Sequence, residues 1–179
     1  GLLLAAFNGI WTLSVALNGA AISTVLVYSS AAFTALLGWL LLKEPLNWVK
    51  ILAIALSLGG CVLVSGILSQ HTMQLSLAGV LVGSLAGLAF AGYTLMGRSA
   101  SERGLNPWTT LLYTFGFAAV FLLVFNLLPF QGLPGKAVNP AELFWLGTAL
   151  GGWLILFLLA AGPTLAGFGL YNVSLTYLP

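Results

Sequence analysis

One apolar run constrains the fold of this chain more than any other feature. From Ile22 to Leu42 the sequence has 21 residues without a formal charge, and the run ends abruptly at Lys43-Glu44-Pro45. A helix rises about 1.5 Å per residue, so this run is long enough to cross the roughly 30 Å hydrocarbon core of a bilayer. Because a charge at the centre of a span costs about 2.5–3.5 kcal/mol, the Lys43–Glu44 pair predicts a membrane surface.

The end of this run also predicts where helices stop and start. Pro45 lacks a backbone N–H and disfavours helical geometry at Glu44, so the helix should end there. Proline also suits the first turn of a following helix, where Glu44 would face the positive end of the helix dipole. We therefore predict structural roles at the helix ends for Glu44 and Pro45.

The composition indicates the class of protein. Charged residues make up 4% of the chain and hydrophobic residues 60%, whereas soluble domains carry about 25% charged residues. This predicts an integral, multi-pass membrane protein in contact with the lipid bilayer. A net charge of +2 with scattered basic residues gives no nucleic-acid-binding patch. One histidine, His71, and one cysteine, Cys61, supply neither a catalytic base within the membrane nor a zinc site, so we predict no enzyme activity, metal or cofactor.

The apolar runs predict an all-α, polytopic transmembrane helix bundle with six spans. The turn-prone pair Asn18-Gly19 divides the first long run. Polar residues 69–76 and the Pro/Gly-rich residues 129–140 read as loops, and residues 141–150 as a short interfacial helix, where tryptophan is favoured. The predicted spans are about 1–18, 21–42, 49–68, 77–96, 107–128 and 153–177.

Small and polar residues recur along the faces of these spans. Gly79, Gly83 and Gly87 form a tandem G-x-x-x-G, which is typical of close helix packing. Polar stripes either line a path for a polar solute or form hydrogen bonds between helices, and for Ser and Thr the hydrogen-bonding interpretation is favoured. For Asn, Trp and Tyr both interpretations stay open. The stripes are Asn8, Trp11, Ser14 and Asn18; Ser23, Ser30 and Thr34; Ser84, Thr94 and Arg98; and Thr164, Tyr171 and Ser174.

Several segments resemble the EamA-type transporters of the drug/metabolite transporter superfamily. YSSAAFTALLGWLLLKEPL followed by KILAIALSLGGCVLVSG resembles the second half of an EamA-type repeat. Leu77 to Arg98 resembles the opening helix of a second repeat, and GPTLAGFGLYNVSLTYLP resembles its third helix. Many family members carry a proline where this chain has Ala31, so the resemblance leaves a kink there open.

The resemblance implies ten helices built as two inverted repeats of five. The chain is then expected to be a fragment with about helices three to eight. Residues 1–68 would end the first repeat, 69–76 would connect the repeats, and 77–179 would begin the second. The opening GLLLAAF and the apolar end Tyr177-Leu178-Pro179 agree with this expectation.

The resemblance also implies a function and a site. We expect a transporter, in the bacterial plasma (inner) membrane, that exports a small metabolite or amino-acid-like solute by alternating access. A non-transporting structural subunit of a membrane complex is the alternative, in which the polar stripes meet partner helices. A membrane-embedded enzyme is a third class, and the missing catalytic clusters count against it. By analogy with the family, the substrate pathway is lined by Asn8, Trp11, Tyr28, Ser30, Tyr93 and Tyr171.

The basic residues predict the orientation of the bundle. Lys43, Lys50, Arg98 and Arg103 fall on one face and Lys136 on the other, and the face richer in Lys and Arg is cytoplasmic.

In the full-length protein with Cys61→Ser, we expect a membrane-impermeant thiol reagent on intact cells to label Thr72→Cys. Labelling at Asn47→Cys instead would contradict this topology.

Overall fold

The described part of the chain is helical throughout. The computed structural model describes residues 1–43, 45, 47–64, 76–128, 147 and 150–177, and no strand occurs among them. The helices are α1 Leu2–Tyr28, α2 Ser30–Leu42, α3 Trp48–Val64, α4 Leu77–Glu102, α5 Pro107–Leu127, α6 Leu150–Leu159 and α7 Phe168–Ser174, with a π-helix, the π segment, at Ala160–Gly167.

The contacts divide the chain into two units. One unit is Leu3–Leu95, and the other is Gly1–Leu2 with Met96–Pro179. The repeat boundary expected at 69–76 falls mainly on residues outside the described part, as do the loop at 129–140 and most of the interfacial helix expected at 141–150.

Within the part of the chain that the structure describes, four helical stretches are long and apolar enough to cross a membrane. They are Leu2–Leu41, Leu77–Glu102, Pro107–Leu127 and Leu150–Ser174, and α3 contributes a shorter apolar helix. The predicted spans at 1–18 and 21–42 thus join into one stretch of 40 residues. The prediction of a multi-pass helical membrane protein is confirmed, whereas the count of six spans stays a prediction.

The stretch Leu2–Leu41 is not a straight helix. Gly19 has φ 78° and ψ 165° inside α1, a conformation that glycine adopts without a steric penalty. The hydroxyl oxygens of Ser14 and Ser23 lie 2.9 Å apart, although nine residues of straight helix would separate their positions by about 13 Å. The chain therefore bends sharply at Gly19, where Asn18-Gly19 predicted a turn.

A second irregularity separates α1 from α2 at Ser29. The Ser29 N–H donates to the carbonyl of Leu26 at 3.1 Å, one residue closer than in an α-helix, and regular spacing resumes with the Phe33 N–H on the Ser29 carbonyl. The Ser29 hydroxyl also donates to the Leu26 carbonyl, and such back-bonding often bends helices. The helix thus breaks two residues before Ala31 without a proline.

The turn after α2 differs from its prediction in one respect. The α2 helix ends at Leu42, as predicted, with Lys43 in the left-handed region at φ 55°. The α3 helix begins at Trp48, and the Asn47 carbonyl accepts its first bond, from Ile51. The prediction that Pro45 lies in the first turn of this helix is wrong, because the chain uses Asn47, a favoured capping residue, as the start. Glu44 lies outside the described residues.

The α4 helix runs to Glu102, beyond the predicted end at 96. Arg98 Nε lies 3.2 Å from Glu102 Oε1 in the last turns, a spacing that supports a helix at its surface end. Gly104, at φ 71°, then ends it. The next helix begins at Asn106-Pro107, as predicted, and Asn106 accepts a bond from the backbone of Trp108 at 2.9 Å.

The last stretch, predicted as one span over 153–177, consists of three pieces. Helix α6 starts at Leu150, the π segment follows, and α7 ends at Ser174. Pro163 lies inside the π segment, and a proline in a helix removes one backbone hydrogen bond and crowds the preceding turn. The stretch Leu150–Ser174 is long and apolar enough for the single span predicted here, but it is not a regular α-helix throughout.

The glycine stripe of α4 packs directly against α1. A Cβ atom built on Gly79 would lie 2.5 Å from Nδ2 of Asn18, and one on Gly83 would lie 2.8 Å from the Ser14 hydroxyl oxygen. Real Cβ atoms essentially never approach other atoms so closely. The interpretation of G-x-x-x-G as a close-packing motif is confirmed.

Gly87 packs against the backbone of the facing segment as well as against a side chain. Its Cβ would lie 2.7 Å from the Ser29 hydroxyl oxygen and 3.1 Å from the carbonyl oxygen of Leu26. A hydroxyl can rotate away, but the carbonyl belongs to the backbone at the α1–α2 break. A methyl group here therefore requires the facing backbone to shift by a few tenths of an ångström.

We expect Gly87→Ala to destabilise the full-length protein in detergent. Overpacking costs about 1–3 kcal/mol, which exceeds the gain of about 1 kcal/mol from replacing glycine in a helix. Gly9→Ala is the matched control, because nothing lies within 4 Å of its Cβ position. Thermal unfolding should show a lower Tm for Gly87→Ala and an unchanged or higher Tm for Gly9→Ala. Equal Tm values would contradict the packing role.

Candidate functional site

Three polar side chains are buried together in the unit Leu3–Leu95. Ser14 and Ser23 have no exposed surface, and Asn18 is 7% exposed. The Ser14 hydroxyl lies 3.2 Å from the Gly79 carbonyl oxygen as well as beside Ser23. Since each hydroxyl carries one hydrogen, Ser23 donates to Ser14 and Ser14 donates to Gly79.

Asn18 pairs with the first residue before α4. The Ser76 N–H donates to Asn18 Oδ1 at 3.0 Å, and Asn18 Nδ2 donates to the Ser76 carbonyl at 3.4 Å. Ser76 is also the capping residue of α4, because its carbonyl accepts the first helical bond from Val80. Asn18 therefore satisfies an amide that would otherwise face the bilayer or the interface without a partner.

This network uses its polar groups for packing and not for a solute. The interpretation of Ser14 and Ser23 as partners in hydrogen bonds between helical segments is confirmed. Such bonds average about 0.6 kcal/mol in membrane proteins, so their main effect is to fix the orientation of α4 on the bent α1.

Most other polar side chains in the spans bond to their own helix. The Thr94 hydroxyl donates to the Phe90 carbonyl at 3.1 Å and the Ser174 hydroxyl to the Tyr171 carbonyl at 2.7 Å. This local bonding satisfies a hydroxyl without a second helix. Thr12, Thr24, Asn126 and Thr164 show the same behaviour.

Asn8 and Trp11 lie on the first half of α1. Both are half-buried, and Asn8 Nδ2 donates to the Leu4 carbonyl at 2.8 Å. One amide hydrogen of Asn8 is thus used locally, while the amide oxygen makes no hydrogen bond within the described residues. The two side chains are three residues apart, which places them on neighbouring positions of the helix surface.

Tyr28 and Ser30 flank the break at Ser29 and differ in exposure. Tyr28 is 55% exposed and Ser30 is 9% exposed. The backbone N–H of Ser30 lies 3.3 Å from the Cβ position of Gly87. Ser30 therefore belongs to the packed side of the break, and Tyr28 to its open side.

Tyr93 is a packed side chain. It is 5% exposed, and its ring centroid lies 5.7 Å from that of Phe90, which in turn lies 5.0 Å from that of Phe7. Sequence reasoning missed Phe7 and Phe90, because phenylalanine carries no polar signal in an apolar helix. The three rings join α1 to α4 beside Asn8.

In the other unit, Tyr171 is half-buried on α7, and the neighbouring Asn172 is 5% exposed. Asn172 Nδ2 donates to the Phe168 carbonyl at 2.8 Å. The sequence analysis missed Asn172, which lies off the stripe of Thr164, Tyr171 and Ser174. The signal for it was present, since an amide is among the costliest neutral groups to bury.

The structure thus brings five predicted pathway residues into the unit Leu3–Leu95 and Tyr171 into the other. Their roles in a pathway stay predictions. Among the described residues, no three His, Cys, Asp or Glu side chains come close enough together to hold a metal ion. The predicted pathway residues carry amide, hydroxyl and aromatic groups.

The contrast between Asn18 and Asn8 gives a prediction. Asn18→Ala leaves the Ser76 N–H without its partner, so we expect a loss of stability of about 1–3 kcal/mol. Asn8→Ala removes only a bond to its own helix, so its Tm should change little. Thermal unfolding of the two full-length variants in detergent measures the difference, and similar losses would refute the assignment of Asn18 as the structural amide.

Comparison with known proteins shows a family similarity in the first part of the chain. Residues 1–66 match the EamA-like transporter family. The chain is 25% identical over 166 residues to a Synechocystis sp. protein named uncharacterized transporter sll1319, with 90% of this chain and 47% of that protein covered. It is 32% identical over 123 residues to uncharacterized transporter YwfM of Bacillus subtilis, with 66% and 40% covered. No solved structure is significantly similar to the chain.

The chain spans about half the length of the curated relatives it matches. The matched segment contains the bend at Gly19, the α2 helix and the charged turn that follows it. Over this segment the chain is similar to the EamA-like transporter family, and its described residues contain four apolar helical stretches of membrane-spanning length.

Proposed function

We propose that this chain is the central part of a membrane transporter that moves a small solute across a bacterial inner membrane by alternating access. The match of residues 1–66 to the EamA-like transporter family carries the proposal. Both curated relatives are bacterial proteins named as transporters. The family resemblance favours export as the direction.

The proposed bundle has six spans within this chain. The bend at Gly19 supports counting Leu2–Leu41 as two spans, since 40 residues of straight helix would extend about 60 Å, twice the thickness of the hydrocarbon core. Helix α3 and the three remaining stretches complete the set. In the full-length protein these helices would form parts of two inverted repeats around a site near the membrane midplane.

The proposed pathway selects a solute without net charge. Between Gly1 and Leu42, Ile51 and Gly97, Gly104 and Gly135, and Leu143 and Pro179 there is no Asp, Glu, Lys or Arg. An ionic solute would need compensating charge within the membrane. Aromatic faces, amides and hydroxyls instead suit a neutral or zwitterionic, partly apolar metabolite such as an amino acid.

Trp11 and Asn8 provide the first test of the pathway. In purified full-length protein in liposomes, we expect Trp11→Ala and Asn8→Ala each to lower solute flux several-fold while the folded yield is kept. Trp39→Ala is the matched control, because Trp39 is 51% exposed on α2 and lies off the proposed pathway. Unchanged flux and affinity in both pathway variants would show that these residues do not line the pathway.

The interiors of the spans in this chain hold no Asp, Glu, Lys, Arg or His, and this gives a second test. Proton-coupled carriers hold such a group inside the membrane, because its charge couples proton to solute. We therefore expect flux that follows the solute gradient and is unchanged by an imposed pH gradient. Flux that requires the pH gradient would refute facilitated transport, although transport itself would then be established.

A further inference from the structure

The π segment Ala160–Gly167 has an unusual pattern of backbone hydrogen bonds. Most π-helices are single turns, and they occur frequently at functional sites, whereas this segment has eight residues. Pro163 has no N–H, so it cannot make the α-helical bond to the Leu159 carbonyl. The Thr164 hydroxyl donates to that carbonyl at 3.0 Å, five residues back. In the π-helical pattern the N–H five residues on, that of Thr164, also bonds to this carbonyl, so the hydroxyl adds a second donor where Pro163 supplies none.

The residues of the π segment make few side-chain contacts that could hold it rigid. None of the residues Ala160–Gly167 is buried. Five of the eight are alanine or glycine, which contribute few side-chain contacts. Glycine in a helix also lowers its stability relative to alanine.

The two helices joined by the π segment differ in how firmly they are held. Gly169 of α7 lies against Trp108, whose Cζ3 would be 2.7 Å from a Cβ at that position. The rings of Phe168 and Phe115 meet edge to face at 5.2 Å, and the Ser101 hydroxyl donates to the Leu175 carbonyl at 3.4 Å. Helix α6 has no buried residue among the described part of the chain.

The bend at Gly19 shows what a fixed break looks like in the same chain. Buried Ser14 and Ser23 are joined by a hydrogen bond across it, and Asn18 beside it is paired with Ser76. No bond between two buried side chains spans the π segment among the described residues, because neither α6 nor the π segment has a buried residue. The bend at Gly19 is therefore held by buried side chains, whereas the π segment is not.

We propose that the π segment is a movable joint about which α6 changes its angle to α7, and that this movement is part of the transport cycle. The second half of the proposal rests on the proposed function. In the joint, Pro163 excludes the α-helical bond to the Leu159 carbonyl, and the Thr164 hydroxyl strengthens the bonding of that carbonyl in the wide turn. Straightening the segment to a regular α-helix requires an N–H at position 163.

Spin labels on either side of the joint test the movement directly. Leu154→Cys and Leu170→Cys place labels on exposed positions about 24 Å apart in a straight helix, in the full-length protein in nanodiscs. A matched pair, Leu112→Cys and Leu127→Cys, lies on exposed positions of the uninterrupted α5. We expect a broader distance distribution across the joint than along α5. Equal widths would overturn the proposal.

Restoring the backbone donor provides the second test. Pro163→Ala should narrow the distribution across the joint, since an N–H can then bond to the Leu159 carbonyl. Pro107→Ala is the matched control, because proline at the first position of α5 replaces no helical bond. Thr164→Val should accelerate amide exchange around the segment in the parent protein and have no effect in the Pro163→Ala background. An equal effect of Thr164→Val in both backgrounds would contradict the role of its hydroxyl.

Transport measurements separate the two halves of the proposal. Pro163→Ala should lower the turnover rate and leave the apparent solute affinity unchanged, as expected when a conformational step limits the rate. A narrowed distance distribution with unchanged turnover would refute the role in the transport cycle but would support the movable joint. Absence of flux in the parent protein would refute the proposed function without affecting the spin-label result.

Discussion

The close approach of α4 to α1 is the contact on which the packing of Leu3–Leu95 depends. In a bilayer the hydrophobic effect does not drive helices together, so packing and hydrogen bonds must do so. The missing side chains of Gly79 and Gly83 bring the α4 backbone within reach of Ser14 and Asn18. The resulting bonds, to the Gly79 carbonyl and to Ser76, are possible only at this short separation. The glycines of α4 and the polar side chains of α1 therefore stabilise this contact together.

The polar residues of the spans follow from the same physics. In lipid every polar group needs a partner inside the protein, and the nearest one is a carbonyl one turn back. Asn8, Asn126 and Asn172 all donate to such carbonyls. An amide or hydroxyl in a span is therefore compatible with an apolar surrounding. Candidate pathway residues are better distinguished by the atoms left over after this local bonding, such as the Asn8 amide oxygen.

Much of the architecture was predictable because apolar length and turn chemistry are local properties. The helix end after Leu42, the start at Asn106-Pro107 and the turn at Asn18-Gly19 each depend on two or three adjacent residues. Helix α3 starts at Trp48, within one residue of the predicted span, but Pro45 lies outside its first turn because Pro45 and Asn47 compete as start signals and the chain uses the asparagine. The π segment was missed because Pro163 alone does not specify which carbonyl takes a substitute donor.

The candidate site was less predictable, because side-chain partners depend on the neighbouring helix. The sequence put Ser14 and Asn8 in one stripe, yet one binds across to α4 and the other to its own helix. Tyr93 carried a polar signal but packs among phenylalanine rings. Helix spacing identifies which residues share a face. The neighbouring helix then determines whether these side chains are packed or accessible to a solute.

The positions of the charged residues determine how the described helices respond to a membrane potential. Lys43, Lys50, Arg98, Glu102 and Arg103 all lie within the end turns of helices or in the turns between them. A membrane potential does work of about 2.3 kcal/mol per 100 mV on each elementary charge that crosses the bilayer. The helix interiors carry none, so a tilt or bend that keeps these helix ends at their own surfaces moves almost no gating charge. The potential across the membrane consequently neither drives nor opposes such rearrangements of this part of the protein, whatever its sign.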